Sequence, residues 1–389
     1  MATIITRPWV HNGQKREAYQ VSFTDASGAR KRKQFDKRKD AVAFQKTCEG
    51  TASIASGGMT VAEAAKAWLN ACEMGLGEHA KVERSTLKSY QSHVNNHIVP
   101  AIGGLLLRTL TTARIKQFRN DLIQKLSRPL AKAVMQSLKA ILTEAVEQEI
   151  LDVNRAAAVN VSISSRDRER VTIPTQKEMG ELLATAQSLA AGSNLHLAKA
   201  WRRYLPLIAT ATFTGMRASE LRGLAWPCVD LSGFVIKVMQ RADQWKVIGR
   251  PKSRAGTREI DIPKELAVIL REWKMACPPS RQHLVFPNGE GNVESIQNIY
   301  NRCWYPLQER AGITTLDGVP KYTLHSLRHF QASVLIAKGS SAKEIMTVMG
   351  HSSVTMTFDT YGHLFPEGRD ERKRRVESIA ADLLKPSHR

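Results

Sequence analysis

The chain has 389 residues, 42% of them hydrophobic, which suits two or three domains with packed cores and argues against wholesale disorder. Its 57 Lys and Arg against 36 Asp and Glu leave a net charge of +21, an excess that draws polyanions, nucleic acid foremost. A membrane role would need a basic amphipathic anchor, a lipidation site or a long apolar span, and the most apolar run, around "YLPLIATATFTG", is far too short.

From the N-terminus, "MATIITRPWV" lacks the apolar core and small-residue cleavage site of a signal peptide. Tyr19, Val21 and Phe23 in "EAYQVSFTDASGARKRKQF" alternate on one face of a strand; "DASG" turns the chain and "RKRKQF" returns it. "DKRKDAVAFQKTCEG" reads as a short helix ending at Gly50. Residues 1–50 carry 11 Lys and Arg against 5 Asp and Glu, a surplus of 6. A two-stranded ribbon with a basic edge (Arg30, Lys31, Arg32, Lys33) fits a DNA groove, the plain alternative being a solvated charged hairpin. "ASGG" at 55–58 then reads as a linker. Thr60-Val-Ala-Glu63 is a capping box that opens an amphipathic helix. Helical patterns continue in "STLKSYQSHVNNHIVPAIG", "TARIKQFRNDLIQKL" and "PLAKAVMQSLKAILTEAVEQEIL", with basic side chains such as Lys88 on the polar faces. "SISSRDRERV" (162–171) is polar and aperiodic, a second linker. Thr175-Gln-Lys-Glu178 caps the first helix of a third region, mostly helical but interrupted by a β excursion, "SGFVIKVMQ" followed by "TREIDIP". The expected domains are 1–55, 59–161 and 172–389: a small β-ribbon and helix, a helical block, and a mixed, mostly α region. Cys48, Cys72, Cys228, Cys277 and Cys303 are scattered without a C-x-x-C, so they read as reduced thiols rather than a disulfide framework or zinc ribbon.

Four stretches carry possible chemistry. In "TGMRASELRGL", Gly215 can end one helix just before another, placing Arg217 in the first turn of the second. A helix N-terminus and a guanidinium fork both suit a phosphate, and Glu220 can orient that fork; a surface salt bridge is the ordinary alternative. In "HSLRHF", His325, Arg328 and His329 share one helical face; the arginine between the histidines argues against a metal and for an anion. "RPKSRAGTREIDIP" places Lys252 at the edge of the β excursion, where a flexible amine can reach a reacting group, and where Lys and Arg also make nonspecific DNA contacts (Arg254). Finally, Ser341-Ala-Lys-Glu344 caps a helix that Gly350 ends, with His351 next. Tyr361 follows ten residues later in a stretch with little charge, either a core aromatic or a covalent nucleophile. "GHSSV" lacks the second glycine of a hydrolase elbow.

In order and combination, "TGMRASEL", a lysine in a β-hairpin, "HSLRH" and "MGHSSVTMTFDTYGH" resemble the tyrosine recombinases, in particular temperate-phage and genomic-island integrases. The resemblance spans residues 172 to 370 and fills every place of the Arg, Lys, His-x-x-Arg, His, Tyr series. It implies an arm-type DNA-binding domain, a helical core-binding domain and a catalytic domain. It implies that Tyr361 attacks a DNA phosphodiester, releases a 5′-hydroxyl and forms a 3′-phosphotyrosine bond. Arg217, Arg328 and His351 would hold the phosphate, Lys252 would protonate the leaving oxygen, and His325 would assist at the attacking one. Glu220 and His329 would be supports. It further implies no metal, cofactor or ATP; double-stranded attachment sites as substrate; a homo-tetramer on DNA; accessory bending and excision factors; and a cytoplasmic, nucleoid-associated location in a bacterial host. "EGRDERKRRVESIAADLLKPSHR" reads as a basic linker and a short helix with Ile379, Leu383 and Leu384 on one side, which in the family docks on a neighbouring protomer. The quiet Tyr361 stretch suggests a segment lightly held so that it can swing. Competing readings are a type IB topoisomerase-like relaxase, a catalytically silent integrase-derived regulator, and a general nucleic-acid binder that explains only the charge.

Overall fold

The computed structural model describes residues 3–11, 14–24, 30–35, 37–42, 44–45, 58–76, 81–163, 171–365 and 369–384. The chain divides into two compact units, Met1–Glu169 and Arg170–Arg389. Gly50, Cys48 and most of the two expected linkers lie outside the described residues.

The first unit opens with a three-stranded antiparallel sheet, β1 (Thr3–His11), β2 (Gln14–Thr24) and β3 (Arg30–Phe35), in that order. The ribbon expected from sequence is β2–β3; β1 extends it. Pro8 cannot donate to a ladder, which obscures the strand pattern, yet an edge strand tolerates it. Val21 and Ala41 are fully buried with Tyr19, Phe35 and Phe44 around them, and Lys33 Nζ lies 4.6 Å from the Phe44 ring centroid. The basic run occupies the other edge, β3, and period-two alternation splits it: Arg32 on one face, Lys31 and Lys33 on the other.

The helical block contains α1 (Val61–Met74), α2 (Arg84–His93), α3 (Val99–Ile102), α4 (Thr112–Lys125) and α5 (Arg128–Glu147). The Thr60–Glu63 capping box forms with both bonds, an arrangement worth about 1 kcal/mol. α2 and α3 are one continuous rod joined by a π turn, Val94–Ile98, and Pro100 follows at the second residue of α3. Proline lacks the N–H that the preceding carbonyl would accept, and widening the turn absorbs that loss. The second unit repeats the device: a π turn at Tyr300–Trp304 precedes Pro306. Trp68, Ile98, Ile115, Phe118, Leu138 and Ile141 fill the core of the block.

The second unit runs α6 (Gln176–Ala191), α7 (Leu195–Thr214), α8 (Ala218–Gly223), β4 (Val229–Asp230), β5 (Val235–Val238), β6 (Arg241–Ala242), β7 (Ile248–Gly249), β8 (Arg258–Asp261), α9 (Lys264–Ala276), α10 (Ile296–Ile299), α11 (Tyr305–Arg310), α12 (Ser326–Ala337), α13 (Ala342–Met349), α14 (Val354–Tyr361) and α15 (Arg369–Leu383). α7 is the central post, with Trp201, Leu207, Ile208 and Ala211 buried against Leu182, Ile236, Leu270 and Trp304. The expected β excursion pairs β5 with β8 in antiparallel register, Ile236 opposite Ile260. A separate two-stranded pair, β6–β7, lies between them in the chain. α13 carries the Ser341–Glu344 capping box. Among the described residues no helix is long and apolar enough to cross a membrane.

Candidate active site

Two glycine-terminated helices bring the site together. α7 ends at Gly215 (φ 60°) and α13 at Gly350 (φ 62°), both left-handed, a conformation that costs glycine little. A Cβ on Gly215 would stand 2.8 Å from Met349 Cε, and one on Gly350 would stand 2.8 Å from the Ala255 carbonyl oxygen. Gly215 thus packs against the Met349 side chain and Gly350 against the backbone at Ala255, and carbonyls at the two corners meet two arginines. Arg328 of α12, only 3% exposed, donates through Nη1 to Gly215 O at 2.8 Å and through Nη2 to Met349 O. Arg217 donates through Nη2 to Gly350 O at 3.0 Å and through Nη1 to Glu220 Oε1 at 2.8 Å. Burial and the neighbouring Arg217 charge lower the Arg328 pKa to about 9, which leaves it protonated at neutral pH. The side chain of Arg217 is 35% exposed, so one guanidinium is buried and its neighbour is reachable.

Arg217 is the N-cap of α8 rather than a first-turn residue, and α8 has only six residues. Its backbone N–H is taken by Glu220 Oε2 at 2.9 Å, so the guanidinium rather than the helix end is the group available to an anion. Glu220, 2% exposed, holds a second arginine as well: Arg258 Nη2 donates to Oε2 at 2.9 Å. Burial pushes the carboxyl pKa up, but the bond and charge of Arg258 and the backbone bond and charge of Arg217 outweigh it, and the net shift is downward.

The tyrosine and three histidines form the opposite wall. Tyr361, last residue of α14, is 1% exposed among Ala332, Ile336, Ile345 and Met349. Burial raises its phenol to about 12, although Arg328 and Arg217 pull the other way. Its hydroxyl lies 2.8 Å from His329 Nδ1. Burial, with His325 and Arg328 nearby, lowers His329 to about 4, so the ring is neutral at pH 7 and the phenol donates to it. His325, the exposed N-cap of α12, sets its ring edge-on to His329 at 4.7 Å; partial desolvation, Arg328 and Arg217 lower its pKa. His351 stacks on Tyr361 at 6.4 Å and 14°, and its Nδ1 lies 2.9 Å from Thr357 Oγ1. Burial first, then Arg328 and Arg217, lower it to about 4.

Arg217, Glu220, His325, Arg328, His329, His351 and Tyr361 therefore stand in one network of contacts. The group that meets the tyrosine hydroxyl is His329, expected as a support, rather than His325. Lys252 is exposed on the loop between β7 and β8, whose far end, Ala255 and Gly256, touches Gly350 and Arg258. The swinging-segment expectation meets a buried Tyr361, although Met356 and Phe358 on the same helix are 44% and 50% exposed. Lys31, Arg32, Lys33, Lys88 and Arg254 are exposed; the Arg30 side chain lies outside the described residues. Sequence reading missed Arg258 and Thr357. The first had a signal: in "TREIDI" it shares the inward face with Ile260 and Ile262, an arginine in an apolar register. Among the described residues no group of three or more His, Cys, Asp or Glu is placed to hold a metal ion.

A tyrosine walled by neutral imidazoles and facing two arginines suits chemistry at a phosphoryl group. The chain belongs to the phage integrase family, DNA strand-transferring tyrosine recombinases that act site-specifically for mobile elements: the family profile matches residues 173–367, half of the chain, and the phage integrase N-terminal SAM-like domain matches 60–123. The sequence is 24% identical to a "Tyrosine recombinase XerC-like" protein of Caldanaerobacter subterraneus, over 95% of this chain and 97% of that one. It is 25% identical to the ICEBs1 integrase of Bacillus subtilis, over 74% and 76%. The fold matches the Tn1549 transposon integrase, solved in complex with a circular intermediate DNA, at TM-score 0.67 and 19% identity, over 83% of this chain and all of that one. A lambda integrase dimer bound to a core site matches at 0.56 and 20% identity, over 77% and 97%.

Proposed function

We propose that the protein integrates or excises a mobile element by cutting and rejoining double-stranded DNA through a 3′-phosphotyrosine intermediate. The observation that carries this reading is the Tyr361 hydroxyl, 2.8 Å from a neutral His329 ring and in a site whose charge comes from Arg217 and Arg328. Tyr361 Oη attacks phosphorus as its proton passes to His329 Nδ1, with His325 edge-on beside that ring. The new P–O bond replaces the bond to the 5′-oxygen, which leaves with a proton from Lys252. Arg217 and Arg328 meet the non-bridging oxygens, and His351 donates to one of them. One ester is exchanged for another, so resealing needs no external energy source.

Residues 1–55 serve as an arm-type DNA-binding module through β3, with Arg30 to Lys33. Residues 59–161 serve as the core-binding domain, with Lys88 on its polar surface, and 172–389 as the catalytic domain, with Arg254 beside the DNA. Two related integrases have been solved with DNA, one of them as a dimer, which supports paired sites and a tetramer as the working assembly.

The test is to incubate the protein with nicked, end-labelled DNA from candidate attachment regions and separate it under denaturing conditions. Label should stay on the wild-type protein and vanish with Tyr361→Phe. Tight, salt-sensitive binding with no adduct would instead support a silent DNA-binding regulator.

A further inference from the structure

Arg258 has no part in the chemistry above, and its side chain is only 3% exposed. Its guanidinium nevertheless joins three separate segments. Nη2 donates to Glu220 Oε2 at 2.9 Å, Nη1 to Gly256 O at 3.0 Å, and Nε to Val348 O at 2.6 Å. These belong to α8, to the end of the loop that carries Lys252, and to the last turn of α13. That turn leads to Gly350, whose carbonyl accepts Arg217.

We propose that Arg258 is a positioning residue for strand cleavage: it fixes Glu220, the Lys252 loop and the α13 corner in one frame, and so sets how Arg217 presents its guanidinium to the scissile phosphate. The inference rests on the catalytic reading above. Glu220 Oε1 holds Arg217 Nη1, while Oε2 is occupied by Arg258 and by the Arg217 N–H. Without Arg258, Oε2 loses its buried cation, and Arg217 becomes the cation in reach of both oxygens. A guanidinium and a carboxylate favour a two-bond fork, which would draw Arg217 onto Glu220 and away from the phosphate. Lysine is a poor substitute, since a point charge can meet Glu220 but cannot direct bonds to three segments at once.

The experiment uses the full chain and DNA recovered from the Tyr361 adduct. Single-turnover adduct formation is compared for wild type, Arg258→Lys and Arg258→Gln. Each is tested on a normal scissile phosphodiester and on one with a methyl group in place of a non-bridging oxygen. On the phosphodiester both variants should be slower by about 10- to 100-fold with DNA affinity unchanged. On the methylated linkage, which has no charge for Arg217 to meet, the loss should shrink below about threefold. Equal losses on both linkages, losses that follow thermal stability, or no loss at all would each overturn the proposal. Failure of wild type to form any Tyr361-dependent adduct is a different result, which sinks the catalytic reading and this inference with it.

Discussion

Thr357 shows how one hydroxyl sets the state of a neighbouring ring. Thr360, on the same helix, donates its hydroxyl to the carbonyl of Met356 at 3.0 Å, but Thr357 turns to His351 Nδ1 at 2.9 Å. His351 is neutral at pH 7, so it has one ring N–H, and the partner of Nδ1 decides which nitrogen carries it. If Thr357 donates to Nδ1, Nε2 keeps the proton and can donate to a phosphate oxygen; the opposite tautomer would point a lone pair at that oxygen. Thr357→Val keeps the shape and removes the choice. Adduct formation should slow by about 10-fold while folding is nearly preserved. Ring-nitrogen NMR should find the proton on Nε2 in wild type and divided between the nitrogens in the variant. An unchanged tautomer and an unchanged rate would show that Thr357 only packs.

At the scale of elements, the site depends on where helices stop. Gly350 is left-handed and lies against the Ala255 carbonyl, so an added methyl meets a backbone atom that cannot rotate away. Gly350→Ala should destabilise the fold by about 2–4 kcal/mol, from the left-handed strain and the contact together, read as a lower urea midpoint at constant slope. A midpoint within error of wild type would mean that the corner relaxes freely. The stops themselves were legible: Gly215 and Gly350 stood at the ends of apolar-periodic runs, and the three capping boxes named their helix starts. The order of the chemical residues was legible for the same reason, since motif spacing survives in one dimension. What stayed hidden was contact across the chain. His329 and Tyr361 are 32 residues apart, and only the packing of α14 on the Ile336 and Met349 face decides that His329, one turn from His325, meets the hydroxyl. β1 was hidden because Pro8 interrupts its pattern, and Lys252 was legible only as a lysine near strands. The reason Arg258 is buried is visible only once Glu220 lies beside β8.

For the molecule as a whole, the charge of +21 is distributed, and the N-terminal 50 residues hold a surplus of 6. Each phosphate neutralised by Lys or Arg releases a condensed counterion, so the slope of log affinity against log salt counts contacts, at about 0.9 per phosphate on duplex DNA. The edge strand β3 bears Arg30, Lys31 and Arg32, and the side chains of Lys31 and Arg32 lie on opposite faces, so a groove that receives the sheet edgewise can engage both faces. Replacing these three with Gln leaves Lys33, which covers Phe44, and so spares the small core beneath the sheet. If the sheet is an arm-type module, the slope on DNA containing arm sequences should fall by about 2 to 3, and cleavage of an isolated core site should be untouched. If the excess charge is only diffuse attraction, the slope should fall equally on every DNA, arm or core, because no contact of the sheet is then tied to a particular site. A salt titration of wild type and the triple variant on both DNAs separates the two outcomes, and it does so without requiring that recombination be reconstituted.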